Sequence, residues 1–422
     1  MSKKIKVLTI GDHPLSPSGV GTQSKYVCQA LLESGKFSVF SLGGAIKHHD
    51  YRLSSVDHWG DDWRILPVDG YGNPEMIRSL LRNERPDIVW VMTDPRFYEW
   101  LWQIENEIRP LCPIVYYHVW DNYPYPKFNK KFYDSNDHIA TISRLTDDIV
   151  KTVSPTVPTT YIPHAVDEKH FYPYSDKDRK SLRTQNLHPD DVDKFIVFWN
   201  NRNARRKQSG TLIWWFKEWL DERDLHDKAQ LLMHTDPKDG HGQDLIHIAD
   251  ELELTSKRQV MFSTNKLDLE NMKALYNLAD VTVNISDAEG FGLSTLESLY
   301  CGVPIVVNMT GGLQDQIIGD DGPFGVPLFP SSKAIIGSQQ VPYIYEDRLN
   351  KNHFMSALSN LYDMGQEERR KMGLAGHKHA MKNFSFPEFG KRWVDLMLKV
   401  NKEYGSWSSR SGYSNIICTE IK

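Results

Sequence analysis

The sequence lacks the features that mark membrane, secreted and strongly basic proteins. No apolar run approaches the 18 residues of a transmembrane helix, and the charged residues 1–6 are not followed by the apolar core of a signal peptide. The four cysteines, Cys28, Cys112, Cys301 and Cys418, have no metal-site spacing, and a net charge of −5 argues against a protein that is basic overall. We therefore expect a cytoplasmic protein with reduced thiols and no transmembrane segment.

What the sequence does contain is a repeated alternation of buried-type strands with helices. With 422 residues the chain is too long for one compact core, so two domains are expected. Strands are predicted at residues 4–10, 37–42, 88–91, 114–117, 138–142 and 160–162, and in the second half at 195–199, 229–233, 259–262, 281–285 and 305–307. This alternation predicts two α/β domains, each with a doubly wound, mostly parallel sheet and a binding crevice at the carboxyl ends of its strands.

The domain boundaries follow from composition. Residues 163–180 are dense in Pro, Asp, Lys and Tyr, which is typical of a connection between domains. We predict an N-terminal domain over 1–165, a linker over 166–180, a C-terminal domain over 181–385, and a final helix and tail over 386–422. If the two domains face each other, the site is the interdomain cleft.

The stretch 281–315 carries the strongest functional signal. Two carboxylates, Glu289 and Glu297, frame the turn Gly-Phe-Gly at 290–292, which immediately precedes a predicted helix. A glycine turn at a helix N-terminus exposes backbone N–H groups that favour an anion such as phosphate. Two acids beside such a cradle indicate a ligand that carries both hydroxyls and phosphate. The alternative is an ordinary glycine turn with two solvated glutamates.

The full stretch resembles the signature of the retaining family 4 glycosyltransferases with the GT-B fold, roughly P-S-x-x-E-G-F-G-L-x-x-x-E-A-x-A-x-G-x-P-V. The residues in register are Ser286, Glu289, Gly290, Phe291, Gly292, Leu293, Glu297, Gly302 and Pro304. Ile285 replaces the usual proline, and Ser298 and Tyr300 replace small alanines. The resemblance implies two Rossmann-like domains facing a cleft. The donor would lie on the C-terminal domain and the acceptor on the N-terminal one, with the last helix crossing back to the first domain.

The same resemblance implies roles for the residues of the signature. Glu289 would hold a hydroxyl of the transferred sugar, and Glu297 would hold the ribose diol of the donor. The further donor-binding residues are Gly290, Phe291, Gly292 and Leu293. No residue is placed as a covalent nucleophile. No acidic cluster stands at a strand end, and Asp320 and Asp321 lie in a polar loop, so neither a metal nor a cofactor is expected.

A basic run follows the strand predicted at 195–199. Residues 200–207 read Asn-Asn-Arg-Asn-Ala-Arg-Arg-Lys, and four cations at a strand's carboxyl end suit a diphosphate, although a solvated basic turn gives the same pattern. The resembling family carries G-R-x-x-x-x-K-G here, and Arg202 and Lys207 have its separation, although its two glycines are absent. The resemblance therefore assigns these two residues to the leaving diphosphate and leaves the other two arginines unassigned.

Near the N-terminus, Gly19-Val-Gly21 resembles a broken dinucleotide fingerprint. Eight residues separate Ile10 from Gly19, the third glycine is replaced by Ser24, and the next strand ends without the acid expected at a ribose. A nicotinamide enzyme is therefore disfavoured. In the resembling family a glycine loop at this place brings backbone amides to the donor phosphates, which implies donor contacts at Gly19 and Gly21.

His118 and Asp121 follow the strand predicted at 114–117. A histidine at the end of a strand either caps hydrogen bonds of the core or serves the reaction. The resembling family commonly has a polar residue here, near the transferred sugar and the acceptor. The resemblance therefore implies a catalytic role for His118 and a sugar or acceptor contact for Asp121.

The prediction is a retaining, metal-independent hexosyltransferase that moves a sugar from a nucleotide diphosphate sugar, such as a UDP- or GDP-sugar, to a hydroxyl acceptor. Glycans, lipids, small metabolites and modified DNA bases stay open as acceptors, although the charge count gives a nucleic-acid acceptor little support. A peripheral contact with a membrane is compatible with the sequence. A protein of this fold that only binds nucleotide sugars is the non-enzymatic alternative. Segment 319–347, unusually long and rich in Pro and Gly, is either a lid or acceptor-facing loop or a structural elaboration.

Overall fold

A computed structural model describes residues 3–254, 258–320 and 322–414. These residues cluster into two compact units. The first contains the chain up to Ala165, Ser338–Pro342 and the chain from Phe386 onward, and the second contains Val166–Gly337 and Tyr343–Ser385. Residues 166–180, predicted as a linker, lie within the second unit. Asp321, Cys418 and the end of the predicted tail (415–422) lie outside the described residues.

The helices and strands are numbered in chain order. The elements up to Tyr161 are β1 (Ile5–Asp12), α1 (Gly19–Glu33), β2 (Phe37–Gly44), β3 (Ser54–Val56), β4 (Gly60–Pro67), α2 (Pro74–Glu84), β5 (Ile88–Thr93), α3 (Glu99–Gln103), α4 (Glu105–Ile108), β6 (Ile114–His118), α5 (Lys130–Asp134), β7 (His138–Thr141), α6 (Arg144–Val153) and β8 (Thr159–Tyr161).

The remaining elements are α7 (Asp176–Asn186), β9 (Phe195–Asn200), α8 (Ser209–Arg223), β10 (Ala229–His234), α9 (Leu245–Glu251), β11 (Val260–Ser263), α10 (Leu269–Leu278), β12 (Val281–Asn284), α11 (Leu293–Tyr300), β13 (Ile305–Asn308), α12 (Leu313–Ile317), β14 (Ile318–Gly319), β15 (Gly322–Pro323), β16 (Gly325–Leu328), β17 (Ser332–Ile336), β18 (Ile344–Arg348), α13 (Lys351–Asp363), α14 (Gly365–Asn383) and α15 (Phe386–Tyr404). A 3₁₀ turn, Arg205–Lys207, lies between β9 and α8.

The first unit is built on one sheet in the order β3-β4-β2-β1-β5-β6-β7-β8. All neighbouring strands are parallel except β3 and β4. Helix α15 packs on α1 in this unit. Its Trp393 is fully buried, with its ring 4.8 Å from that of Tyr117 and 5.8 Å from that of Trp90. The last helix is therefore part of the core of the first unit.

The second unit contains a six-stranded sheet in the order β11-β10-β9-β12-β13-β16, parallel throughout. Phe195, Val197 and Trp199 on β9 pack in one core cluster with Phe216 and Trp219 of α8. The order reverses between β9 and β12 here, and between β1 and β5 in the first unit, so each sheet has a switch point where ligands bind at the carboxyl ends. The prediction of two doubly wound α/β domains is confirmed.

Two further features concern segments that the sequence singled out. Helix α1 begins at Gly19, because Ser18 caps it by accepting a hydrogen bond from the Gly21 N–H at 2.9 Å. Segment 319–347 contains regular structure: β16 completes the second sheet, and β17 pairs with β18 in an antiparallel hairpin. Within the described residues, no helix is both long and apolar enough to cross a membrane.

Candidate active site at the carboxyl edge of the second sheet

Two loops flank the switch point of the second sheet. One follows β9 and contains the basic run, and the other follows β12 and contains the Gly-Phe-Gly turn. The loops are joined directly, because the Asp287 N–H donates to the Arg206 carbonyl at 2.8 Å and the Arg206 guanidinium donates to the Ala288 carbonyl. The structure therefore brings together the two motifs that the sequence singled out 80 or so residues apart.

Glu289 and Lys207 form a buried ion pair at this junction. Both side chains are about one-tenth exposed, and Lys207 Nζ donates to Glu289 Oε2. A guanidinium nitrogen of Arg206 lies 3.9 Å from the same oxygen. Burial alone would raise the pKa of Glu289, but the two cations outweigh it and lower that pKa. Glu289 is therefore ionised at neutral pH and suited to accept hydrogen bonds from sugar hydroxyls.

The turn between Glu289 and α11 is fixed by its own backbone. Gly292 has a φ of +88°, and a Cβ atom there would lie 2.5 Å from Leu313 Cδ2, so the position requires glycine. The Gly312 N–H donates to the Glu289 carbonyl at 3.1 Å, and Gln316 donates to the Phe291 carbonyl at 2.7 Å. No side chain caps the N-terminus of α11. Its first-turn N–H groups therefore suit an anionic ligand, as the sequence predicted.

Glu297 lies on α11 in a different environment. The Tyr276 hydroxyl donates to its carboxylate at 2.7 Å, and Asn200, the last residue of β9, donates to the Tyr276 hydroxyl at 2.8 Å. Burial raises the pKa of Glu297 to about 7, although the Tyr276 hydrogen bond acts in the opposite direction. Asn200 and Tyr276 were not predicted as site residues, because Tyr276 comes from α10 and nothing in the local pattern links it to Glu297.

Arg202 does not join Lys207 at the junction. Its guanidinium is bound to Asp239 at 2.7 Å and to His241 at 2.7 Å, and 61% of its side chain is exposed. The second cation beside Glu289 is Arg206. Arg202 and Lys207, which the resemblance assigns together to the leaving diphosphate, have different neighbours in this structure, and their shared role stays a prediction.

The hairpin β17–β18 is tied to the same two loops by charged groups. Glu346 receives both Arg205 guanidinium nitrogens at 2.6 and 3.0 Å. The Asp287 carboxylate forms an ion pair with Arg348 and accepts a hydrogen bond from the Gln208 side chain at 2.6 Å. The Asp287 backbone carbonyl accepts a hydrogen bond from the Asp347 N–H at 2.9 Å. The carboxylates of Glu346 and Asp287 are nearly fully buried. In the second unit, this part of segment 319–347 therefore supports the junction that holds Glu289.

Replacing Arg348 with glutamine is expected to loosen that junction. The buried Asp287 carboxylate would lose its closest cation, so we expect a lower melting temperature and a KM for the donor raised roughly threefold to tenfold, with a smaller change in kcat. Steady-state kinetics on the purified variant measure this. Arg223→Gln, which removes a comparable arginine from the exposed Asp363, is the matched control. If both variants have the same KM for the donor, the hairpin does not support the donor site.

His118, in the first unit, is fully buried at the end of β6. Its Nδ1 is 2.9 Å from the Tyr116 hydroxyl and its Nε2 is 2.7 Å from the Tyr133 hydroxyl. Burial lowers the pKa of His118 to about 3, so the ring is neutral at physiological pH. With both nitrogens hydrogen-bonded inside the core, this geometry supports the structural alternative over a catalytic role.

We expect His118→Gln to act on stability rather than on proton transfer. Two buried tyrosine hydroxyls would lose a well-placed partner, which should lower the melting temperature by at least about 2 °C. The pH dependence of kcat should stay unchanged at a temperature where the variant is folded. Measuring the melting temperature and the pH profile of kcat distinguishes a structural from a catalytic role. Loss of one limb of the pH profile would show that His118 acts as an acid or base.

The glycines of the first unit also have structural functions. Because the Gly21 N–H is bound by Ser18, that amide is already occupied. A Cβ atom on Gly21 would lie 2.3 Å from Ser16 Oγ, so glycine here lets the preceding loop fold back on α1. Gly19 occupies the first position of α1, where backbone N–H groups have no partner within the helix. Asp121 is half-buried in the loop between β6 and α5.

A family model and a curated relative match part of the chain. Residues 181–328 match the family model of "Glycosyl transferases group 1". N-acetyl-alpha-D-glucosaminyl L-malate synthase of Bacillus anthracis is 25% identical over 100 residues, which cover 24% of this chain. That alignment spans only about a quarter (26%) of the curated relative's own length.

Solved structures match across both units. Sucrose-phosphate synthase from Thermosynechococcus elongatus aligns with a TM-score of 0.74 at 18% identity, covering 94% of this chain and 100% of that one. Anabaena Alr3699/HepE in complex with UDP-glucose aligns with a TM-score of 0.69 at 14% identity, covering 94% and 100%. At such identities the likeness shows the fold, so the predicted GT-B fold class is confirmed. The family model, which includes both loops of the junction, adds support for a glycosyltransferase with this fold.

Proposed function

We propose that this protein transfers a sugar from a nucleotide diphosphate sugar to a hydroxyl acceptor, and that the second sheet holds the donor. The observation that carries the proposal is the junction at the switch point. There the cations Lys207 and Arg206, the ionised Glu289 and the uncapped N-terminus of α11 lie together, with Glu297 on the same helix. A nucleotide sugar needs cations for its diphosphate and acceptors for its sugar and ribose hydroxyls, and this junction offers both.

These contacts suggest a separate role for each group of the junction. The first-turn N–H groups of α11, with Lys207 and Arg206, stabilise the charge that develops on the leaving diphosphate. Glu289 accepts hydrogen bonds from hydroxyls of the transferred sugar. Glu297, held by Tyr276, accepts the ribose diol. Arg202 can contact the diphosphate only if its ion pair with Asp239 breaks first.

The chemical step is proposed to retain the configuration at the anomeric carbon. The bond from that carbon to the diphosphate oxygen breaks, the acceptor oxygen bonds to the same face, and the acceptor proton passes to the departing phosphate. No metal is needed for this step, since cations and helix N–H groups supply the positive charge. Gly19 and Asp121 remain proposed contacts of the first unit, whereas the hydrogen bonds of His118 and Gly21 favour structural roles for those two residues. A cytoplasmic location, supported by buried free Cys28, Cys112 and Cys301, remains a proposal.

Thermal-shift screening of nucleotide diphosphate sugars tests the function directly. UDP-glucose is the first donor to try, because it is bound in the solved structure of Anabaena Alr3699/HepE. We expect one nucleotide class to raise the melting temperature and its sugar nucleotide to be hydrolysed slowly without an acceptor, also in the presence of EDTA. Nuclear magnetic resonance of the transferred sugar then reports its anomeric configuration. A stabilising nucleotide with neither hydrolysis nor transfer would favour a protein that only binds the donor.

A further inference from the structure

All the large hydrophobic side chains that are exposed in the described part of the first unit lie in loops at one edge of its sheet. They are Leu15, Ile46, Tyr51, Leu53, Phe97 and Tyr125. These residues follow β1, β2, β5 and β6, which are parallel strands, so the loops after their carboxyl ends share an edge. This is the edge at which an open α/β sheet binds its ligand.

Two aromatic members of this set, Phe97 and Tyr51, pack against neighbouring rings. Phe97 stacks nearly parallel on Tyr71, with ring centroids 4.6 Å apart, although the Phe97 side chain is still 46% exposed. Tyr51 packs edge-on against His48 at 5.5 Å, and His48 lies 5.3 Å from His13. Rings that are held in this way present apolar surface at low entropic cost to a ligand.

The loops at this edge carry no excess of basic side chains over acidic ones. Residues 12–18, 45–53, 68–73, 94–98 and 119–129 contain four basic side chains, Lys47, Arg52, Arg96 and Lys127, and five acidic ones, Asp12, Asp50, Asp69, Asp94 and Asp121. Two of the four cations are paired with acids two residues away, Arg52 with Asp50 and Arg96 with Asp94. An acceptor that carries phosphates, a nucleic acid above all, requires an excess of free cations at its site.

We propose that the acceptor is an uncharged amphiphile, a hydroxyl compound whose apolar alkyl or aryl group packs on these six side chains. This rests on the proposed function and deepens it, because it names the chemical class that receives the sugar. Exposed apolar surface gathered at a ligand-binding edge stabilises a ligand by its removal from water, and each buried methylene strengthens binding roughly fourfold. The aromatic rings and the aliphatic Leu15, Ile46 and Leu53 together fit an apolar group better than a polar glycan alone.

Alkyl β-glucosides of increasing chain length test the proposal on the full chain. Methyl, butyl and octyl β-glucoside carry the same hydroxyls, so calorimetric dissociation constants below the critical micelle concentration isolate the apolar part. We expect octyl glucoside to bind at least tenfold more tightly than methyl glucoside. Leu53→Ser and Phe97→Ser should each reduce that ratio at least threefold. Leu269→Ser and Trp214→Ser remove equally exposed side chains from the second unit, 45% and 46%, and should leave it unchanged.

Three results would overturn the proposal. One is equal affinity for the methyl and octyl compounds, and another is a chain-length dependence that survives both first-unit substitutions, which would place the alkyl chain elsewhere. Preferential transfer to an oligonucleotide that carries a hydroxymethylated base would also contradict it. Hydrolysis of the donor by the wild-type protein, measured without any acceptor, keeps the two proposals separate. If the acceptor test fails but the wild-type protein hydrolyses the donor, only the acceptor class is wrong. If the wild-type protein does not hydrolyse the donor, the proposed function fails as well.

Discussion

Replacing Lys207 with alanine is expected to lower kcat at saturating donor by about 100- to 1000-fold, the usual effect of removing one group that stabilises developing charge. Lys207 is nearly buried and pairs with Glu289 at the junction of the two loops. Its loss would leave Glu289 with Arg206 alone, whose nearest nitrogen is 3.9 Å away. The same substitution should therefore also lower stability, by about 3 kcal/mol. Single-turnover kinetics and urea unfolding measure the two effects separately.

A matched variant distinguishes the catalytic loss from general destabilisation. Lys194 is equally buried and pairs with Asp191 at 2.8 Å in the same unit, just before the amino end of β9. We expect Lys194→Ala to lower stability as well, although by less because Arg258 still pairs with Asp191 at 2.8 Å, while kcat changes less than about threefold. If both variants lose turnover equally, or if Lys207→Ala transfers sugar normally, Lys207 has no special role in the reaction.

The second large effect concerns pH and comes from Glu297. Because burial raises the pKa of this carboxyl to about 7, its ionised fraction rises about tenfold between pH 6 and pH 8. A ribose diol donates to the ionised form, so the donor should bind about tenfold more tightly at pH 8 than at pH 6. Calorimetric titration of the donor at several pH values measures this. In Glu297→Gln the affinity should be weaker and nearly independent of pH.

The stability of the ligand-free protein should change with the opposite sign. The folded pKa of Glu297 lies above its usual 4.5, so folding takes up a proton between these values and stability falls as the pH rises through about 7. Glu297→Gln removes this cost, by at most about 3 kcal/mol at pH 8 and almost nothing at pH 4. A substitution that stabilises the free protein at pH 8 yet weakens the donor would be hard to explain by any other role. A stability difference that does not change with pH would contradict it.

The parts of the fold that the sequence predicted well are those with local causes. Helix α11 begins directly after the Gly-Phe-Gly turn, as predicted, because Gly292 and Gly302 bound it and its apolar residues repeat with helical spacing. The strands on either side are short β-branched runs that are buried on both faces. By contrast β4 was missed, since it begins with Gly-Asp-Asp and Arg64 interrupts its short apolar stretch.

The missed parts of the site depend on contacts between distant residues. Asp287 meets Arg348 about 60 positions further along the chain, and no local pattern signals a partner at that distance. Arg206, which the sequence left unassigned, lies beside Glu289, because its guanidinium binds the Ala288 carbonyl next to Glu289 in the other loop. Only the three-dimensional arrangement shows which cation of the basic run lies beside Glu289.

A crystal structure of the full chain with its nucleotide sugar tests the central claim most directly. We predict that the diphosphate lies within hydrogen-bond distance of Lys207 Nζ and the first-turn N–H groups of α11. The ribose hydroxyls should contact Glu297, and a hydroxyl of the sugar should contact Glu289. A nucleotide bound away from the carboxyl ends of β9 and β12, with Lys207 and Glu289 still paired only to each other, would contradict the account.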